Sequence, residues 1–415
     1  MHGLDKENNF LTNIELPLIP NTVQMESTGF TIDKDLINSI RLQLEQKVLA
    51  IDMKFSGINL NSPKQLKEYL TKLGYNKDLT TFLVHGQAQS TNKLTLKKLA
   101  SKTPIAQDIL DYREASKLLS TYVNPMANES KWIGNFNQTG TKTGRYSSSK
   151  PNLQNIPNRT VIGRQIRQAL TAKPGYKLIV SDMAQIEPRL LAFYTKDPKL
   201  CYIFQNGVDF HGTVTSDIEA LLPKNDPFFK LLPKDRRFVG KTIDLATFYG
   251  ARTNRLRQEL FKGGVDLSFG QVNKLRNGLI TAYKGVFDWV TRFDSNATRI
   301  GYVDTLLGRR IPLAPGMNPT NTLIQGSCAD ILKVNMLNLY EFGYIIIASI
   351  HDEVVIEIPK NGNSSKTPFD APYKATPEED ILADCKYIQH IMENSVRLRG
   401  IKLVAETIVR SNWCA

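Results

Sequence analysis

Leu178-Ile179-Val180-Ser181-Asp182-Met183-Ala184-Gln185-Ile186-Glu187-Pro188-Arg189 is the stretch that decides the fold. A short apolar run, the pattern of a buried β-strand, ends on an aspartate. A similar run occurs later, where Tyr344-Ile345-Ile346-Ile347 leads towards His351-Asp352-Glu353 and Val354-Val355-Ile356 follows. Charges in the turn of an otherwise buried hairpin are costly unless a counter-ion offsets them. Two carboxylates on neighbouring strands suit two Mg²⁺ ions about 3.5–4 Å apart, an arrangement that serves phosphoryl transfer. A lone aspartate at a strand end is more often a cap or turn residue, so the reading rests on the pair.

Between the two aspartates stand Arg237, Lys241, Leu245 and Tyr249, spaced by four. On a helix predicted over residues 233–250 they form a winding stripe about 18 Å long. A triphosphate at the cationic end would bring its sugar and base near Leu245 and Tyr249. By itself the stripe reads more readily as a solvated cation pair beside a core stripe. Thr143-Gly144-Arg145-Tyr146-Ser147-Ser148-Ser149-Lys150-Pro151-Asn152-Leu153-Gln154-Asn155-Ile156-Pro157 is rich in hydroxyls and amides with two cations. Such a loop can hold a phosphate backbone without reading sequence.

The 415 residues carry 53 Lys+Arg against 40 Asp+Glu, a formal charge of +13 spread along the chain. That balance suits a polyanionic partner, and the length suits two or three subdomains. No apolar run reaches the roughly 18–20 residues of a membrane-spanning helix, and the first residues lack a signal-peptide pattern. The four cysteines, Cys201, Cys328, Cys385 and Cys414, form no CxxC pair. They argue for a reducing compartment without structural zinc or a disulfide framework.

Residues 1–36 read as irregular, broken by Pro17 and Pro20. Residues 34–53 have helical apolar spacing, Asn61-Ser62-Pro63 starts another helix, and residues 94–123 read as helical. Residues 85–92 read as a polar, flexible stretch. Residues 131–195 read as strand-rich, 200–300 as helical, 305–325 as loop-rich and 322–339 as a helix before the Asp352 hairpin. Residues 361–380 read as an exposed insertion, and a helix near 381–399 and a short strand close the chain.

These stretches together resemble the family A DNA polymerases, of the bacterial DNA polymerase I type that also occurs in phages. The loop at 143–157 is similar to that family's TGR…PNLQNIP signature. Asp182 to Arg189 is similar to its motif A, Arg237 to Gly250 to its motif B, and His351-Asp352-Glu353 to its motif C. Tyr112-Arg113-Glu114 with Lys117, Asn135-Phe136-Asn137-Gln138-Thr139, Asp209-Phe210-His211, Gly308-Arg309-Arg310 and Gln325-Gly326-Ser327-Cys328-Ala329-Asp330 add to the likeness. It runs from about Leu16 to Trp413.

The resemblance implies a mixed α/β (α+β) right-hand fold with an antiparallel palm sheet, helical fingers and a helical thumb. The thumb would be 37–130, the fingers 196–320, and the palm 1–36, 131–195 and 321–415. It implies a template-directed DNA-dependent DNA polymerase. Asp182 and Asp352 would ligate two Mg²⁺ (Mn²⁺ as substitute), with the Met183 carbonyl assisting and Glu353 nearby. Arg237, Lys241, His211 and Gln185 would hold the dNTP, and Lys241 would give a proton to the leaving pyrophosphate. Tyr249 with Glu187 would exclude a ribose 2′-OH, and Leu245 would lie along the incoming sugar and base. Arg145, Asn152, Gln154, Arg159, Asn321, Gln325 and His351 would contact primer, template or the new pair. Arg113 and Lys117 would grip the duplex. Primer-template DNA and dNTPs are the implied partners of a monomer without membrane contact, with a separate exonuclease or processivity partner left open. The implied compartment is the cytoplasm of a bacterial or phage-infected cell, or an organelle.

Met183-Ala184 replaces the Tyr-Ser of motif A, Pro188 a leucine, Leu245 the motif B aromatic and Ala246 the next glycine. Leu245 keeps apolar contact but loses the flat face, so slower incorporation is expected, with poor use of dideoxynucleotides because no hydroxyl replaces the missing 3′-OH. Only about 15–20 residues precede the likeness, too few for a nuclease domain, so no exonuclease activity is expected of the chain. Three other readings stand beside this one. Against a single-subunit RNA polymerase stands Glu187. Against a non-catalytic nucleic-acid binder stands the joint presence of Asp182, Asp352, Arg237, Lys241 and Tyr249. Against a nuclease stands the triphosphate-holding helix.

Overall fold

The computed structural model describes residues 9–55, 57–83, 86–158, 160–361 and 377–414. Arg159 and most of the 361–380 insertion lie outside them. The chain divides into two compact units: residues 1–28, 135–149 and 175–410, and residues 29–134, 150–174 and 411–415.

The first unit is built on a four-stranded antiparallel sheet. Its order is Ile345–Ile350, Glu353–Pro359, Tyr176–Met183, Ala405–Arg410. Leu178, Ile179, Val354, Val355 and Ile356 are fully enclosed, so consecutive residues on both faces are buried. Such a sheet needs cover on both sides. The helices Ile19–Thr28, Pro319–Glu341 and Pro377–Asn394 pack against its strands. Pro319–Glu341 is buried nearly all round, as a helix in the middle of a core must be. It starts where the Asn318 side chain accepts from the Asn321 N–H and Pro319 takes the first turn, which needs no N–H partner. Its buried Lys333 pairs with Glu15 and donates to the Gln138 carbonyl at 3.0 Å.

The helices Phe210–Ala220, Pro233–Phe248, Thr253–Lys262, Phe269–Ala282 and Lys284–Ile300 form the helical part of this unit, as the periodicity of 200–300 predicts. Gly240 lets Phe210–Ala220 and Pro233–Phe248 approach closely: a Cβ there would stand 1.9 Å from Thr215 Oγ1.

The second unit carries a three-stranded antiparallel sheet, Lys131–Trp132, Phe30–Ile32, Leu170–Thr171. Its helices Lys34–Asp52, Pro63–Lys72, Lys93–Ala100 and Pro104–Leu118 start at side-chain caps, Asp33, Ser62, Asn92 and Thr103. Trp413 is buried, stacks on Phe30 at 5.2 Å between ring centroids, and lies under the Arg167 guanidinium at 4.1 Å.

Three expectations are corrected. Within 1–36, the described residues 9–36 are not irregular: Leu11–Glu15 is a helical turn and Ile19–Thr28 an α-helix. Pro20 stands in the first turn, where its missing N–H breaks nothing. The stretch 85–92 contains a strand, Gly86–Gln89, paired with Thr80–Leu83. The region 131–195 includes the helices Val161–Gln168 and Ile186–Thr195 besides its strands. Pro188 stands third in Ile186–Thr195, among the N–H groups that a helix leaves free.

Candidate active site

The site is assembled by register. Asp182 pairs across the sheet with Glu353 on one side and Glu406 on the other. Directly opposed residues share a face, so three carboxylates stand side by side. Ile350 pairs with Glu353, leaving His351 and Asp352 as a two-residue turn. His351 takes a left-handed φ of 57°, strain of the sort that collects at functional sites. The Met183 N–H donates to the Asp352 carbonyl at 3.2 Å, tying that turn to the end of the Asp182 strand.

The electrostatics follow from the crowding. Loss of surrounding water, then the charges of Glu353, Asp352 and Glu406, push Asp182 up to about 7. Asp352 is also raised, by burial first, while Arg145 opposes and Glu187 adds to the rise. Arg145 Nη2 lies 2.6 Å from Glu187 Oε1 and 3.4 Å from Asp352 Oδ1. The Arg145 loop is itself held by Arg309, whose Nη2 donates to the Thr143 carbonyl at 2.8 Å and the Gly326 carbonyl at 3.1 Å, and whose Nε meets Asp330 at 2.7 Å. Gly144 has φ of 81°, and a Cβ there would stand 2.5 Å from Arg309 Nη1, so a side chain would displace the brace.

Oxygen donors crowded with so little cationic relief fit a hard divalent cation. Among the described residues no three His, Cys, Asp or Glu side chains converge to cage an ion.

The helix Pro233–Phe248 carries Arg237 and Lys241 exposed and Leu245 half-buried, with Tyr249 at its C-cap. Arg237 is paired with Asp209, Nη2 to Oδ1 3.1 Å. His211, on the adjoining helix, sets Nδ1 2.8 Å from Asp244 Oδ2. Burial, and then the Glu187 charge, raise the Tyr249 phenol well above its usual value. Gln185 takes a left-handed φ of 54° as it leads into the helix bearing Glu187. Asn321 and Gln325, one turn apart, are the half-exposed positions in a buried stretch of Pro319–Glu341, and so point the same way.

In the second unit, Asn152 and Gln154 sit at the turn Leu153–Asn155. Arg113 donates to the Leu60 carbonyl at 2.8 Å and the Thr91 carbonyl at 2.6 Å. With Lys117, Lys64 and Lys67 it lines a cleft of about 750 Å³. Arg113 is therefore partly a brace.

Sequence reasoning missed Glu406, Asp244 and the brace function of Arg309. Glu406 has no local signature in Ala405–Arg410; only long-range pairing sets it beside Asp182. Asp244 could be found as the inward carboxylate three residues after Lys241, once the helix is drawn.

An acidic edge on an antiparallel sheet and a helix that presents two cations to solvent are the two parts of the site. The chain belongs to DNA polymerase family A, whose model matches residues 33–414. It is 33% identical over 377 residues to the thermostable DNA polymerase I of Thermus thermophilus, covering 84% of this chain and 44% of the relative. Against that of Thermus filiformis it is 34% identical over 433 residues, covering 96% and 47%. Against DNA polymerase I of Pseudomonas aeruginosa it is 32% identical over 434 residues, covering 97% and 44%. The chain thus spans less than half the length of these curated relatives. A solved structure, the POL domain of Pol1 from M. smegmatis in complex with DNA primer-template and dNTP, superposes with a TM-score of 0.82 at 27% identity, covering 98% of this chain and 71% of that one. Family A polymerases are divalent-metal dependent, in keeping with the donor set. Among the described residues no helix is long and apolar enough to cross a membrane.

Proposed function

We propose that this chain is a template-directed DNA polymerase that adds dNTPs to a primer 3′-OH. The observation that carries the reading is the register that sets Asp182 between Glu353 and Glu406 and ties it to the Asp352 turn. The likeness to a polymerase domain solved with primer-template and dNTP supports the substrates. In this reading the palm is 1–36, 131–195 and 321–415, the thumb 37–130 and the fingers 196–320.

Asp182, Asp352 and the Met183 carbonyl would hold two Mg²⁺, which supply charge neutralisation at the reacting phosphate when bound. Phosphoryl transfer asks the protein mainly for positioning and fixed charge. Arg237, Lys241, His211 and Gln185 hold the triphosphate, and Lys241 gives a proton to the departing pyrophosphate oxygen. Binding exchanges the Arg237–Asp209 pair for phosphate contact, since both partners are more than half exposed. Arg145 keeps Glu187 and Asp352 in place, and Glu187 with Tyr249 closes the space a ribose 2′-OH would need. Asn321, Gln325, His351, Asn152, Gln154 and Arg159 serve primer and template, and Arg113 and Lys117 the duplex.

Primer extension tests the reading. A labelled primer on a DNA template is incubated with dNTPs and Mg²⁺, beside Asp182→Asn and Asp352→Asn. Extension by the unaltered protein, lost in both variants, is expected. No extension with duplex binding intact and Mn²⁺ without effect would leave a nucleic-acid binder instead.

A further inference from the structure

We propose that Asp244 is a positioning residue for triphosphate binding and acts through His211. The inference rests on the reading above that His211 meets the triphosphate. Asp244 is fully buried and lies in the C-terminal half of the helix Pro233–Phe248, three residues past Lys241. Both its oxygens are engaged: Oδ2 is 2.8 Å from His211 Nδ1, and Oδ1 accepts the Leu245 N–H. A buried carboxylate without partners is costly, and here the side-chain partner is an imidazole. Burial raises Asp244, while His211 and then Lys241 oppose the rise.

A simple tie between two helices could use any donor. A histidine differs in having two nitrogens on opposite edges of one ring. Asp244 takes the Nδ1 edge, so an outside ligand has the Nε2 edge. The ring is only 9% exposed on its side chain, so little freedom remains for another orientation. Its helix is pressed against the cation-bearing one: Gly240 sits under Thr215, whose hydroxyl donates to the His211 carbonyl at 2.6 Å. The charged groups around the ring are Asp244, Lys241, Asp209 and the Arg237 bonded to Asp209. A carboxylate that orients a histidine through the nitrogen it does not offer is a recurrent device wherever an imidazole must meet a ligand in one geometry.

The test is a double-mutant cycle on the dNTP KM in steady-state primer extension. Asp244→Asn keeps shape and removes charge. It is expected to raise KM about tenfold, the worth of one hydrogen bond to a charged group, with most of the change in KM rather than kcat. In a His211→Gln background the same substitution should add nothing. Equal effects in both backgrounds would overturn the proposal, as would an unchanged KM in Asp244→Asn or in His211→Gln. Extension by the unaltered protein in the same assay separates any of these failures from failure of the polymerase reading. Should Asp244→Asn not fold, ring ¹⁵N spectra of the unaltered protein decide. On adding an α,β-methylene deoxynucleoside triphosphate, the His211 Nε2 signal should move while Nδ1–H stays bonded. An unmoved Nε2 overturns the proposal.

Discussion

Asp182 meets Glu353 and Glu406 across the sheet and Asp352 at its end. Its carboxyl stands at about 7 when folded against about 3.9 unfolded. The folded chain therefore binds the extra proton between those values, and metal-free stability falls as pH rises through that window. Below about pH 4 both states are protonated and nothing is lost. Asp182→Asn should then melt higher than the unaltered protein at pH 8 in EDTA and equally at pH 4. The difference should be on the order of 1 kcal/mol, because the carboxyl, though crowded and partly stripped of water by its neighbours, keeps a solvent-exposed face that screens them. Equal melting at pH 8, read by calorimetry, would remove this account. Leu245 poses a second question at this scale. Replacing it with Tyr supplies a hydroxyl beside the incoming sugar, and dideoxynucleotide use should rise about tenfold, one hydrogen bond's worth. Chain-termination ratios with ddNTP and dNTP in competition check it; an unchanged ratio means Leu245 does not face the sugar.

The pair of helices Phe210–Ala220 and Pro233–Phe248 is the element on which triphosphate recognition depends in this reading. Gly240→Ala would drive a methyl into Thr215. Overpacking of this kind costs about 1–3 kcal/mol, and the displaced Thr215 would shift the His211 turn. A lower melting midpoint together with a raised dNTP KM is expected; a lower midpoint with KM unchanged would mean that the helices part without disturbing the site. Elements of this sort were legible beforehand where local chemistry marks them: Ser62 before Pro63 is a helix start visible in the sequence, and the four-residue spacing of Arg237, Lys241 and Leu245 lies on a helix that Tyr249 caps. Legibility failed where a residue has two meanings. Pro20 breaks a helix interior yet opens a first turn, and only packing of Ile19–Thr28 onto Ile345–Ile350 selects the second. It failed again where strands far apart in the chain set a neighbour, as with Glu406.

Across the whole molecule, the charge of +13 coexists with a cluster of four carboxylates. Cations must then predominate away from that cluster, and duplex affinity should depend on counterion release. If about six phosphates are neutralised, affinity for a blunt DNA duplex should fall about a thousandfold between 50 and 200 mM KCl. Fluorescence anisotropy titrations measure the slope, and a flat one would exclude backbone-driven binding.

The acidic cluster also has a schedule. Asp182 finds its neighbours only in strands that begin at Glu353 and Ala405. On a ribosome making roughly 5–20 residues per second, the interval between Asp182 and Glu406 lasts roughly 10–45 s. Once Glu353 is made, Asp182 has one of its cross-strand neighbours, and only Glu406 supplies the other. Completion of the acidic edge therefore waits on the strand Ala405–Arg410, and a stop before Glu406 leaves Asp182 with a carboxylate neighbour on one side of the sheet only.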